Sequence, residues 1–576
     1  MNIFFRQLKK YKAASILAPT FKLIEATFEL LVPLFVADMV DKGVVAGNTS
    51  VIIRNTILIV VLGMLGLAFS IVGQYFSAKA ATGVSHDVRE QTYKKMLSLP
   101  ASEVDRIGVP KMITAMTSDV NQMQSGVNLA LRLLLRSPFV VFGALIAAML
   151  IDLKASIVFA VLIFALFAVV IIIMAVTMPK YSEAQKNLDD VSAAARENIT
   201  GARVIRAFGA ENEEVENYRK RINKLEKTQN IAGIISALLN PLTFALVNLG
   251  VVALLYFGGV RVYSGALTQG MVIALYDYMS QILIELVKFA NLVVTVSRAL
   301  ACGKRIDDIL SIKHDESPVS DEDKSDAYIE FRDVTVSYNG GGESLSHVNL
   351  KVEKGQTVGI IGATGSGKTT MISLLTRIYS PTGGKVFFDG KNVSAYATEE
   401  LRGRIKVVLQ KTALFKGTIK DNVLLGATDK SDENLKLALR TAQAEDFVEK
   451  KHGGADAELE QGGKNLSGGQ RQRLSVARAI AAKPEVLILD DSSSALDFLT
   501  DLNMRRAISS LDPKPTTFIV SQRAAAVPQG AAAVKHADVI VVLDEGKEVG
   551  LGKRDELYKN CPVYREIESS QEKGAE

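Results

Sequence analysis

Tryptophan is absent from this sequence, and cysteine occurs only twice, at Cys302 and Cys561. Two thiols so far apart, in regions of different composition, make neither a disulfide framework nor a metal cluster. An excess of one charge is also missing: 67 Lys and Arg against 62 Asp and Glu leave a formal +5. For 576 residues that gives no argument for nucleic acid. No small-residue cleavage site follows the first apolar stretch, which is too long for the core of a secretory leader. Glycine and proline are few in the long polar stretches 78–128 and 179–230. These keep helical periodicity and do not read as solvated linkers.

What is present divides the chain in two. Hydrophobic residues make up 48% and mean hydropathy is +0.19, but nearly all the long apolar runs precede residue 300. A chain of this length needs more than one core. Apolar segments at 13–40, 56–76, 137–151 (with flanking helix), 157–178, 231–257 and 271–296 approach or exceed the roughly 20 residues that cross about 30 Å of hydrocarbon. Six crossings put both termini on one side. The short loops carry only Lys42, Arg54, Lys154 and Arg261, whereas 78–128 and 179–230 hold clusters such as Arg219, Lys220 and Arg221. The basic side is expected to be cytoplasmic. Charges also lie inside the apolar runs: Glu25 and Glu29 in the first, and Asp277, Glu285 and Lys288 in the last. Lipid-facing carboxylates are costly, so Glu25, Glu29 and Glu285 are expected either to line a cation-receptive cavity or to pair structurally.

The expected boundaries are a membrane domain at 1–312, a linker at 313–327 and a soluble domain at 328–576. Within the soluble domain, residues 362–370 read GATGSGKTT, between an apolar strand-like run and an apolar-periodic helix. Gly362, Gly365 and Gly367 let backbone N–H groups wrap a phosphate chain, together with Thr364, Ser366 and Thr370. Lys368 reaches the β and γ oxygens, and the Thr369 hydroxyl suits Mg²⁺. The run 486–489 ends in Asp490, a carboxylate at the C-terminal edge of a buried strand, placed to share that ion with Thr369. Tyr338, at the end of the domain's first strand, is placed to stack on adenine. Ser467, Gly468, Gly469 and Gln470, within LSGGQ, open a second helix able to meet phosphate. One domain has no geometric use for two such noses unless a second copy faces it.

This motif set resembles the nucleotide-binding domain of ABC transporters, fused behind six transmembrane helices as in bacterial multidrug half-transporters. The fold implied is a helical membrane domain with long cytoplasmic extensions, followed by an α/β P-loop ATPase domain of ABC type. By the same resemblance, Gln410 is the Q-loop glutamine at the Mg²⁺, residues 494–497 (SALD) are the D-loop, and coupling helices fall near 101–108 and 203–209. ATP and Mg²⁺ are the implied cofactors. The implied partners are the lipid bilayer, a small amphipathic substrate and a second half-transporter, with no nucleic acid. The implied location is a bacterial plasma membrane.

Two positions depart from the family pattern. Asp491 stands where a catalytic glutamate is usual, and Gln522 where the switch histidine is usual. Both changes strike one step, the activation of water against the γ-phosphate, and losing a positioned base costs about 10²- to 10⁴-fold. An intact LSGGQ beside an impaired Walker site suits the degenerate half of a heterodimer. The alternatives are a homodimeric lipid or peptide exporter, or an ATP-gated regulatory or channel-like subunit. No fused protease domain precedes the first crossing, which speaks against a peptide processor. Residues 524–536 (AAAVPQGAAAVKH) exceed the family's usual length here, and no function explains them.

Overall fold

Apolar runs flanked by helix-forming polar residues fold as helices because every backbone polar group in lipid must find its partner within the segment. The computed structural model describes residues 6–312, 323–338, 342–492, 495–521 and 537–573, and divides into two compact units.

The described residues of the first unit, Met1–Ser98 with Ile107–Ile312, fold as helices joined by short turns. Its main helices are α1 (Lys12–Asp38) and α2 (Thr49–Leu97). After α3 (Ala101–Ile107) come α4 (Val120–Leu133), α5 (Arg136–Ile151), α6 (Leu153–Thr200), α7 (Ala202–Ala207), α8 (Glu211–Ala237), α9 (Leu239–Tyr263) and α10 (Gln269–Leu310). Among the described residues five stretches are long and apolar enough to span a membrane: Thr49–Leu97, Val109–Ile151, Leu153–Thr200, Glu211–Tyr263 and Gln269–Leu310. The sixth predicted segment, α1, has 27 residues but carries Lys22, Glu25 and Glu29, which lower its apolarity without shortening it. Helices of 49 and 48 residues reach about 70–75 Å, far beyond hydrocarbon thickness, so the polar stretches after the first half of α2 and α6 continue as helix.

Packing separates an inner from an outer surface. α1 lies on α2, α6 on α8, and α10 packs against α4, α5 and α1. Phe159, Leu162, Leu166, Leu254, Tyr278 and Met279 form the core. The outward faces of α2 (Ile53, Ile57, Val60, Met64) and α6 (Ile157, Val161, Phe164, Ile171) are exposed and apolar, as lipid requires.

The second unit comprises Lys313–Glu576 together with Leu99–Arg106. The segment containing most of α3 therefore clusters with the soluble domain, although the chain enters it from α2. Twelve strands are present among the described residues: β1 (Ile329–Ser337), β2 (Glu343–Val352), β3 (Thr357–Gly362), β4 (Gly383–Phe388), β5 (Lys391–Asn392), β6 (Ile405–Val408), β7 (Gly417–Thr418), β8 (Glu458–Leu459), β9 (Val486–Asp490), β10 (Thr516–Ser521), β11 (Val539–Asp544) and β12 (Lys547–Gly552). Ten form one sheet in the order β5-β4-β1-β2-β12-β11-β3-β10-β9-β6, and β7 pairs with β8.

The sheet changes character along its width. β6, β9, β10, β3 and β11 run parallel, while β1 pairs antiparallel with β2 and β4. All of β9 is buried, as a parallel strand covered on both faces must be. Each fully buried Val, Leu or Ile there contributes on the order of 1.5–3 kcal/mol. The C-terminal ends of β3 and β9 feed the functional loops, with α11 (Lys368–Leu375) following β3. Two other helices matter below: α12 (Gly468–Ala481) and α13 (Phe498–Ser509).

Candidate functional site

The glycine loop joins β3 to α11. Gly367 has φ +96°, and a Cβ there would lie 2.6 Å from the Ser344 carbonyl oxygen, so only glycine lets the loop close against β2. Lys368 opens α11 and turns its Nζ into the loop. It donates to the carbonyl oxygens of Gly362 (2.9 Å) and Ala363 (2.6 Å) and to Ser366 Oγ (3.3 Å). Burial pulls this ammonium below the ordinary lysine range, opposed by the nearby charges of Asp490 and Asp491.

Two carboxylates arrive from β9. Asp490 is 3% exposed, and Thr369 Oγ1 donates to its Oδ2 at 3.4 Å. Burial raises the Asp490 carboxyl above the usual range, with the Thr369 hydrogen bond opposing. Asp491 follows with φ +47°, a left-handed backbone that Asp adopts more readily than most residues. Gln410 Nε2 donates to Asp491 Oδ2 at 3.3 Å. Thr364, Gly365, Thr370 and these side chains line a cleft of about 250 Å³. The oxygen donors of Thr369, Asp490 and Gln410 form a hard set that fits Mg²⁺, which binds through few protein oxygens and takes the rest from phosphate and water.

Tyr338 sits beside this cleft. Its hydroxyl donates to Thr370 Oγ1 at 3.1 Å, and its ring meets Tyr379 edge to face, centroids 5.0 Å apart at 79°. Tyr379 in turn donates to Asp105 Oδ2 at 2.7 Å, a bond that pushes its phenol up to about 12. Direct contacts thus run from Thr370 through two tyrosines to α3. Sequence reasoning missed Tyr379 and Asp105, which carry no motif and lie 274 residues apart.

The second phosphate nose stands elsewhere. Ser467 caps α12: its Oγ accepts from the Gln470 N–H (3.2 Å), and Gln470 Oε1 accepts from the Ser467 N–H (3.0 Å). This reciprocal pairing fixes the helix start. At Gly469 a Cβ would lie 2.8 Å from the Ala495 carbonyl oxygen, so the turn stays bare. None of Ser467, Gly468, Gly469 and Gln470 lines the Lys368 cleft. Gln522, Ser494 and the stretch 524–536 lie outside the described residues.

Within the membrane unit, Glu25, Glu29 and Glu285 come together around one residue the sequence did not single out, Arg136. It donates to Glu285 Oε1 (2.5 Å) and Glu29 Oε2 (2.6 Å) and lies 4.0 Å from Glu25. Lys22 donates to Glu25 (2.6 Å) and Ser70 (2.7 Å), while Ser137 and Lys288 donate to Glu285 at 2.8 Å each. Four helices, α1, α2, α5 and α10, are thereby tied at one point.

Comparison with known proteins covers both units. The description of the ABC transporter transmembrane region matches residues 15–286, and that of the ABC transporter domain matches residues 345–494. The chain is 31% identical to an uncharacterized ABC transporter ATP-binding protein of Mycobacterium tuberculosis, over 98% of this chain and 97% of that one. It is 32% identical to the uncharacterized ABC transporter ATP-binding protein YfiB of Bacillus subtilis, with the same coverage. An ATP-dependent lipid A-core flippase of Desulfotalea psychrophila is 33% identical over 78% of this chain and 77% of its own. A solved bacterial Atm1-family ABC exporter with ATP bound has the same fold, with TM-score 0.79 at 20% identity over 98% of both chains.

Proposed function

This chain belongs to the ABC transporter family, and on that premise we propose that it is the hydrolytically weak half of a heterodimeric exporter. ATP-driven transport comes with the family; the inequality of the two ATP sites is particular to this sequence. The observation that carries it is Asp491, at the position from which a carboxylate would take a proton from the attacking water. Its side chain is one methylene shorter than the usual glutamate, and Oδ2 already accepts from Gln410 at 3.3 Å. A general base must come within about 3 Å of its proton, or one water away. Gln522, in the switch position, can donate a hydrogen bond but cannot carry a positive charge.

Each residue then has a role. The loop N–H groups and Lys368 hold the phosphates, and Tyr338 stacks on adenine. Thr369, Asp490 and Gln410 would hold Mg²⁺, which would supply neutralisation of phosphate charge. ATP at Lys368 is retained and turned over about 10²- to 10⁴-fold more slowly than at a site with a positioned base. Ser467, Gly468, Gly469 and Gln470 serve the nucleotide of the partner chain, whose own glutamate and histidine perform the efficient hydrolysis. Closure of the two nucleotide domains pulls the cytoplasmic helix extensions together and switches the transport path outward. The substrate is an amphipathic small molecule, and both termini lie in the cytoplasm of a bacterial cell.

Purification with the native partner, followed by ATPase assay of this chain alone and in complex, tests the proposal. Turnover is expected in the complex and not in the isolated chain; comparable turnover by the isolated chain overturns it. The lipid A-core flippase relative supports a second reading, a homodimeric lipid exporter. Flipping of a labelled lipid by vesicles containing this chain alone distinguishes that reading.

A further inference from the structure

We propose that Asp277, on the exposed side of α10, is the binding carboxylate for a lipophilic monocation in the transport pathway. The inference rests on the export reading above and deepens it by assigning the substrate charge to one residue.

Charge pairing within the membrane unit comes first. Lys22, Arg136 and Lys288 face Glu25, Glu29 and Glu285, and ion pairs of 2.5 to 2.8 Å join them all. Three cations and three carboxylates neutralise one another, so this cluster offers a substrate cation no net charge. Asp277 stands outside it, eight residues along α10 from Glu285, or about 12 Å. Among the described residues it has no ion pair and no hydrogen bond, and it is half-buried. It is the net negative charge left in the spanning part of α10.

The exposed face of α10 points to what surrounds it. Tyr276, Asp277, Ser280, Ile284, Lys288, Asn291 and Thr295 recur at intervals of one, three or four residues and form a single stripe, exposed or half-buried throughout. The outward faces of α2 and α6, by contrast, are apolar. A stripe this polar is not lipid-facing; it borders water or a second chain. A second acceptor lies one turn from Asp277: Gln281 Oε1 is buried without a hydrogen-bond partner in the structure. Beside the carboxylate, Tyr276 is 43% exposed, and its aromatic ring is suited to a delocalised cation. A carboxylate, an amide oxygen and an aromatic ring on adjacent turns select an apolar monocation over a neutral or anionic molecule.

The test uses the transporter in its native complex, in nanodiscs, with tetraphenylphosphonium as the binding probe. Asp277→Asn should weaken binding at least about tenfold, since a single opposite charge is lost in a low-dielectric site; Asp277→Glu should restore it to within about threefold. In inverted vesicles, ATP-driven uptake of ethidium should fall in the Asn variant, while uptake of neutral calcein acetoxymethyl ester and basal ATPase stay unchanged. Equal tetraphenylphosphonium affinity in wild type and Asp277→Asn overturns the assignment, as does absence of binding to the wild type. Asp277-dependent binding with no ATP-driven uptake of either dye would retain this site and overturn the export proposal.

Discussion

Among the described residues, one cluster of buried charge in the membrane unit and one in the nucleotide cleft are closed to different degrees. In the membrane, Arg136 and its neighbours balance three positive and three negative side chains, and each carboxylate has a cation within 2.8 Å. In the nucleotide cleft a single ammonium, Lys368, faces Asp490 and Asp491, and its donors rest on loop carbonyl groups. The first arrangement is complete in itself and acts as a tie between helices. The second offers an ammonium to polyphosphate oxygens and carboxylate oxygens to a divalent cation, which is what a binding site requires.

The sharpest way to break the comparison is to remove the centre of the closed cluster. Arg136→Leu strands Glu29, leaves Glu285 with only Lys288 and Ser137, and should destabilise the membrane unit by about 3–5 kcal/mol, read as a lower unfolding temperature in detergent. Neutralising both carboxylates in the same variant should recover most of that loss. An unchanged unfolding temperature for Arg136→Leu would mean the cluster is no tie.

Lys368→Ala is expected to act oppositely. It should leave the unfolding temperature nearly unchanged and lower ATP affinity about 100-fold, from losing charged hydrogen bonds of about 1.5–3 kcal/mol, measured by calorimetric titration. A smaller effect follows from the tyrosine route. Tyr379→Phe removes only the bond to Asp105, so ATP affinity should hold within about twofold while substrate transported per ATP falls. Asp105→Ala should do the same, and the double variant no more than either alone, because contacting residues couple by about 0.5–3 kcal/mol. The smallest change expected is a gain: Asp491→Glu should raise total ATPase activity of the complex by up to about twofold if reach limits the site, because a repaired base adds a second working site beside the partner's efficient one. No gain would shift the limitation to Gln522.

Legibility differed between the units for a physical reason. Gly367, Lys368, Asp490 and LSGGQ were readable because their chemistry depends on near neighbours: a turn needing positive φ, a helix start, a buried strand ending in a carboxylate. Glu25, Glu29 and Glu285 were visible as anomalies in apolar runs, but their partner was not. Arg136 lies at the edge of a predicted crossing, 107 residues from Glu29 and 149 from Glu285. Tyr379 carries no motif, and its partner Asp105 lies 274 residues away in α3.

The amino-acid order by itself determined the helical crossings and their long extensions, the glycine loop, the carboxylates of β9 and the capped start of α12, since each follows from periodicity and local hydrogen bonding within a few residues. Tertiary structure alone decided which charges close on each other, which one at Asp277 is left over, and that Leu99–Arg106 clusters with the nucleotide-binding unit. Those outcomes depend on side chains brought together from distant parts of the chain, where packing and the cost of burying an unpaired charge outweigh any preference a short segment can express.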